Sequence, residues 1–138
     1  VATMALSTES RIIAGAVLLT IVTIQVGGWF MTRIARGEVP MTDFQKAFAR
    51  AGHGHAGVLV ILSLVGLLYV DATGLTGVLL WIARLGVPVA AILMSAGFFA
   101  SSAGRNVTGP NRFIVVLWIG ALSLAAGVIS LGVGLLTA

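Results

Sequence analysis

Four long apolar runs, separated by short polar stretches, set the organisation of the chain. Ile12 to Met31 is the first and contains no charged residue. Ala51 to Val70 is the second and begins with both histidines of the chain. Leu75 to Ala103 is apolar except for Arg84, with Pro88 four residues further on. It predicts either one long helix kinked near Pro88 or a span that starts near Leu85 after a surface turn. Phe113 to Leu136 is the fourth run, again without a charge. A helix needs about 20 apolar residues to cross a bilayer, so each run is long enough. The predicted spans are 12–33, 51–70, 77–103 and 113–136, in one membrane domain covering 1–138. The connections "DATG" and "GRNVTGPN" are short and rich in turn residues. Short connections make antiparallel neighbours, so the expected fold is an all-α, up-down bundle of four transmembrane helices.

The first connection carries a pattern of its own. Thr42 followed by Gln45 has capping-box spacing, which satisfies free amides at a helix start. Beyond it, Phe44, Ala47, Phe48 and Ala51 fall on one side of a helix, and Asp43, Lys46 and Arg50 on the other. That reads as an interfacial helix start over 42–50, running on into the second span.

Composition supports lipid as the natural solvent. The 138 residues are 59% hydrophobic and 9% charged, against about 25% charged in a soluble domain. There is no cysteine, which removes disulfides and thiolate chemistry. No basic patch with interleaved aromatics suggests nucleic-acid binding. The first run is longer than a signal-peptide core and lacks a small-x-small cleavage site after it, so it is expected to remain as a helix. Basic residues near the span ends are uneven. Arg33, Arg36, Lys46, Arg50, Arg105 and Arg112 flank connections one and three, while Arg11 and Arg84 flank the other side. Six against two places connections one and three in the cytoplasm and both termini outside.

Small residues mark expected packing seams. The fourth run has Gly120, Ser123, Gly127, Ser130 and Gly134 at spacings of three and four. This is a helix-pairing repeat filled with side chains that let backbones approach. Shorter versions are Ala16, Thr20, Thr23 and Gly27 in the first run, and Gly86, Ala90, Gly97 and Ser101 in the third. A hydroxyl-lined pore is the alternative reading of these stripes. Gln25 sits half a turn away from the first-run seam. An amide in hydrocarbon needs a partner. Gln25 therefore implies a second protein-facing side, hence oligomerisation or a larger complex, unless it snorkels to the interface.

Candidate chemistry centres on "GHGHAG". His53 and His55 point about 200° apart on a helix, so they cannot share one metal ion and no metal site is expected. His55 falls nearer the small face of Gly52, Ala56, Ser63 and Gly66, and is expected to bond within the bundle, with Gln25 or Ser101 in reach. His53 is expected to be the more accessible to headgroups. The readings are a structural or interfacial pair, a proton-linked site that includes Gln25, or a haem ligand. Arg105 and Arg112 could gather lipid headgroups. Arg84 either snorkels outward or pairs with Asp71. The acids Glu9, Glu38, Asp43 and Asp71 lie at ends or in loops, so no catalytic residue is assigned.

"QVGGWFMTR", ending the first run ahead of a histidine-bearing helix, resembles locally one half of a haem A synthase. The resemblance implies haem held by an axial histidine, here His53 or His55, with adjacent glycines leaving room for the porphyrin. The family uses histidines on two helices; the third and fourth runs here have none. The acid beside the family's first histidine is also missing. Apart from that resemblance no cofactor is expected. The leading expectation is a non-enzymatic membrane protein that acts by helix association, as an accessory subunit or a homo-oligomer in the lipid bilayer. A small transporter or channel is the alternative, and a haem-binding redox or enzyme component the third reading.

Overall fold

The computed structural model describes residues 5–138, which form four helices and no strands. The helices are α1 (Thr8–Ala35), α2 (Asp43–Val70), α3 (Gly77–Ser101) and α4 (Ile114–Leu136). All four are long and apolar enough to cross a membrane. The shortest has 23 residues, or about 35 Å at the usual rise per residue. The chain is a multi-pass, all-α membrane bundle.

Helix starts follow local chemistry. Ser7 caps α1 by accepting from the Ser10 amide, so this helix begins ahead of its apolar run. Thr42 and Gln45 form the reciprocal capping box that opens α2. From there α2 continues to Val70, so the interfacial stretch and the second span are one helix. Pro88 lies inside α3, which runs unbroken through it. The proline has no amide to donate, so the Arg84 carbonyl one turn back loses its usual partner.

In the bundle, α3 packs against both α2 and α4, while α1 packs against α2. The α3–α4 contact is a small-residue seam. A β-carbon added to Gly127 would stand 2.8 Å from the Gly86 Cα, and one on Gly97 would stand 2.7 Å from the Leu117 Cα. The Ser123 hydroxyl donates to the Gly86 carbonyl at 2.9 Å. Gly120 meets Met94, and Gly134 meets Leu75 and Thr73. Ser130 is half-buried on the same helix. Gly120, Ser123 and Gly127 of the helix-four stripe are thus used inside the chain, against α3, and Gly134 against the turn that precedes it.

The helix-one stripe behaves differently. Ala16, Thr20 and Thr23 are exposed and border a cavity instead of a close contact. The buried residues of α1 are Ser10 and Ile34, near its two ends. Between these points the helix borders a cavity over its first half and meets α2 again at Gly27 and Gly28. Its threonine hydroxyls donate within α1, to the Val17 and Thr20 carbonyls, each at 2.6 Å.

Each end of the bundle is tied by polar contacts. At one end, buried Gln45 donates to the Ser102 carbonyl at 3.0 Å and the Gly104 carbonyl at 2.9 Å. The Thr42 hydroxyl donates to the Val107 carbonyl. These bonds join connections one and three. At the other end, the start of α1, the turn after α2 and the end of α4 come together through Ser7, Asp71 and Gly134. Exposed Trp29, Phe113 and Trp118 lie toward the first end, and Tyr69 and Trp81 toward the second. Such aromatics favour the headgroup depth of a bilayer.

Candidate functional site

The groove between α1 and α2 collects most of the chemically distinctive residues. Lys46, Arg50 and His53 are spaced by four and then three residues, so they share one face of α2. That face looks at the second half of α1. Lys46 and Arg50 line a recess of about 330 Å³ together with Met31, Ile34 and Ala35 of α1. His53 fits against the α1 glycine pair. A β-carbon on Gly27 would stand 3.2 Å from its Nδ1, and one on Gly28 would stand 3.6 Å from its Nε2. The glycines are therefore a seat for the imidazole.

Beyond His53, deeper along the same groove, lies a second space of about 480 Å³ between α1, α2 and α3. Its walls are mostly aliphatic, with hydroxyls from Thr20, Thr23, Ser63 and Ser95. Ser63 donates back to the Leu59 carbonyl at 2.7 Å. Ser95 Oγ is buried without a hydrogen-bond partner. His53 thus stands between a cationic recess and an apolar chamber.

The two histidines meet different neighbours. His53 is half-buried, with its ring against the glycine pair of α1. The glycine pair lets a ring fill the space that side chains would otherwise occupy. His55 is also half-buried. Its Nδ1 meets the Ala51 carbonyl of its own helix at 2.8 Å, in place of a bond to Gln25 or Ser101. Its ring lies 4.9 Å from that of Phe98 on α3. So His55 does face the packed side, but as an aromatic neighbour. Gly52 is closed by Phe98 and Phe99, whereas Gly54 and Gly57 have open space beside them. Any porphyrin on a single histidine would need that open side, because the imidazole already occupies Gly27 and Gly28.

Gln25 is not part of this groove. Its side chain is exposed, with no bond to a described residue. Arg105 and Arg112 lie in an exposed connection, where Arg112 stands 5.4 Å from the Phe113 ring. Among the described residues, no three histidine or carboxylate side chains gather as a metal-binding group.

At the opposite end, Asp71 organises a polar knot. It accepts from the Ser7 amide at 2.9 Å, the Ser10 hydroxyl at 3.1 Å and the Arg84 guanidinium at 3.0 Å. Arg84 also lies 5.0 Å from the Trp81 ring. Burial pushes the Asp71 carboxyl up, but the hydrogen bonds from Ser7, Ser10 and Arg84 outweigh it and hold the group below its ordinary 3.8. Pairing of Arg84 with Asp71 was one of two expectations from sequence. The part played by Ser7 and Ser10 was not legible, because they lie over 60 residues away in the chain. The polar face of Asp43, Lys46 and Arg50 was legible in its spacing; that Lys46 and Arg50 face α1 was not.

Comparison with known protein families, characterised proteins and solved structures gives no match to this chain.

Proposed function

We propose that the chain is a membrane protein that acts by helix association, pairing with a second copy of itself through the outward face of α1. Leu18, Val22, Gln25 and Trp29 run down that face at spacings of four, three and four, and all four are exposed. The spacing matches a left-handed helix pair, with one polar residue among apolar ones. The exposed Gln25 amide carries the reading, because it has both donors and an acceptor and so complements its own copy across a two-fold axis. A single polar position of this kind sets register. The sparse burial of α1 within the chain agrees with an outer partner. Basic residues flanking connections one and three orient the unit with both termini extracytoplasmic.

The test is the mass of the protein in native-lipid particles or mild detergent, over a dilution series. The expected result is a dimer that Gln25→Leu weakens by about 1 kcal/mol, roughly fivefold, the scale of inter-helix hydrogen bonds in membranes. A dimer unchanged by Gln25→Leu, or a monomer at every concentration, overturns the proposal and leaves Gln25 snorkelling.

A second reading is a small conduit, and the chamber behind His53 is the observation that favours it. In that reading His53 is the proton-linked residue in place of His55, which packs on Phe98. Flux into vesicles that is absent from His53→Phe protein is the measurement that would carry it.

A further inference from the structure

The recess at the mouth of the α1–α2 groove has a charge imbalance that the chain does not correct. Four basic residues stand at this end on the two helices, Arg33, Arg36, Lys46 and Arg50. Two acids accompany them. Glu38 is engaged by Arg33 at 3.2 Å and Arg36 at 3.0 Å. Asp43 reaches Lys46 at 3.7 Å and is itself fully exposed, so water screens most of that attraction. The ion pairs among the described residues leave Arg50 without a carboxylate.

The surroundings are equally specific. Met31, Ile34 and Ala35 form an apolar wall opposite Lys46 and Arg50. Ile34 is one of the two buried residues of α1, so this wall is held firmly. Trp29 is exposed one turn further in, and Arg33 lies 5.3 Å from its ring. A tryptophan–arginine pair of this kind suits the depth where headgroups meet acyl chains. Two cations on one side and an apolar wall on the other match a phosphate with hydrocarbon attached. The volume of about 330 Å³ lies at the small end of ligand sites. It admits a headgroup but not a helix, which at 10 Å diameter takes about 120 Å³ per residue.

We propose that Lys46 and Arg50, with Met31, Ile34 and Ala35, form a binding site for the phosphate headgroup of an anionic membrane lipid. The lipid comes from the leaflet next to connection one, and its first methylenes lie on the α1 wall. A lipid seated here bridges α1 to α2 at the end where His53 meets Gly27 and Gly28. This site does not depend on self-association, and it differs from the exposed Arg105–Arg112 connection.

The test uses the full chain, stripped of lipid in mild detergent, with thermal unfolding read during titration. The probes are phosphatidylglycerol, phosphatidylcholine and inorganic phosphate. Phosphatidylglycerol is expected to raise Tm saturably, and phosphatidylcholine is not. K46Q/R50Q should weaken phosphatidylglycerol binding about thirtyfold, the scale for two basic residues at a membrane surface. R105Q/R112Q should leave it unchanged. Equal shifts from both lipids overturn the proposal, as do equal losses in the two double variants. Inorganic phosphate acting as well as phosphatidylglycerol at equal concentration overturns the lipid as source. Should K46Q/R50Q fail to fold, the charge-preserving K46R/R50K protein and a salt series decide. Retained binding that falls with salt supports the site, and binding indifferent to 0.5 M salt, about a 4 Å screening length, overturns it.

Discussion

Arg84 sits inside an apolar run, yet its side chain is only 5% exposed and holds Asp71, itself 19% exposed. A buried guanidinium is tolerable because its charge is met by a carboxylate and its flat face lies near Trp81. Its Nε remains without a partner, so the knot is not fully satisfied. Removing Asp71 strands a buried cation, and Asp71→Asn is expected to cost about 3 kcal/mol, the lower figure for a broken buried pair. Thermal unfolding in detergent measures this. The pH dependence has a defined sign. The Asp71 carboxyl is held below 3.8 in the folded protein, so its contribution is complete above that value. It is lost as pH falls through 3.8 toward the lowered folded value. Wild-type protein should therefore lose stability in that window more steeply than Asp71→Asn, and parallel profiles would rule the linkage out. Sequence spacing suggested the Arg84–Asp71 pair. It could not suggest Ser7 and Ser10, because their approach depends on where α1 begins in space.

At the scale of elements, the α3–α4 pair and α1 use small residues to opposite ends. Gly86 and Gly127 bring two backbones together, and the Ser123 hydroxyl closes on the Gly86 carbonyl. Gly127→Leu has no space here and must push α4 off α3. It should lower stability by about 3 kcal/mol or more, whereas Leu124→Ile, a near-isosteric change, should cost under about 1.5 kcal/mol. Equal unfolding temperatures for the two variants would contradict the seam. In α1 the same kind of stripe borders a cavity, and the buried residues Ser10 and Ile34 lie near the helix ends. Small residues permit close approach without compelling it. The stripe in the sequence therefore identified contact in one helix and a cavity wall in another.

For the whole molecule, the two ends differ in both charge and wiring. Connections one and three are joined through Thr42, Gln45, Ser102 and Val107, and most of the basic residues lie in or beside them. The turn after α2 and the end of α4 meet at the other end. The N-terminus itself lies outside the described residues. The proposed orientation puts the basic side in the cytoplasm, as the positive-inside rule expects. A C-terminal fusion should therefore be active with a reporter that works outside the cytoplasm and silent with one that works only inside. The reverse pattern would refute the orientation. Gln45→Ala should loosen both connections at once, since one side chain serves two carbonyls and the α2 cap.

By itself, the sequence determined the number of helices, their apolar character and the capping box that opens α2. These depend on properties local to each segment: run length, periodicity and the chemistry of a few consecutive residues. It also disclosed the polar face of Asp43, Lys46 and Arg50 at the start of α2, since positions three and four apart align on any helix. What only the tertiary structure decided is which neighbour each face meets. His53 turned out to be seated on glycines of α1, and His55 to lie beside Phe98. The gap behind His53 lies between the contact at Ser10 and the one at Gly27. Periodicity gives the direction of a side chain about its own axis, but the distance between two axes is a balance struck over the whole packed bundle.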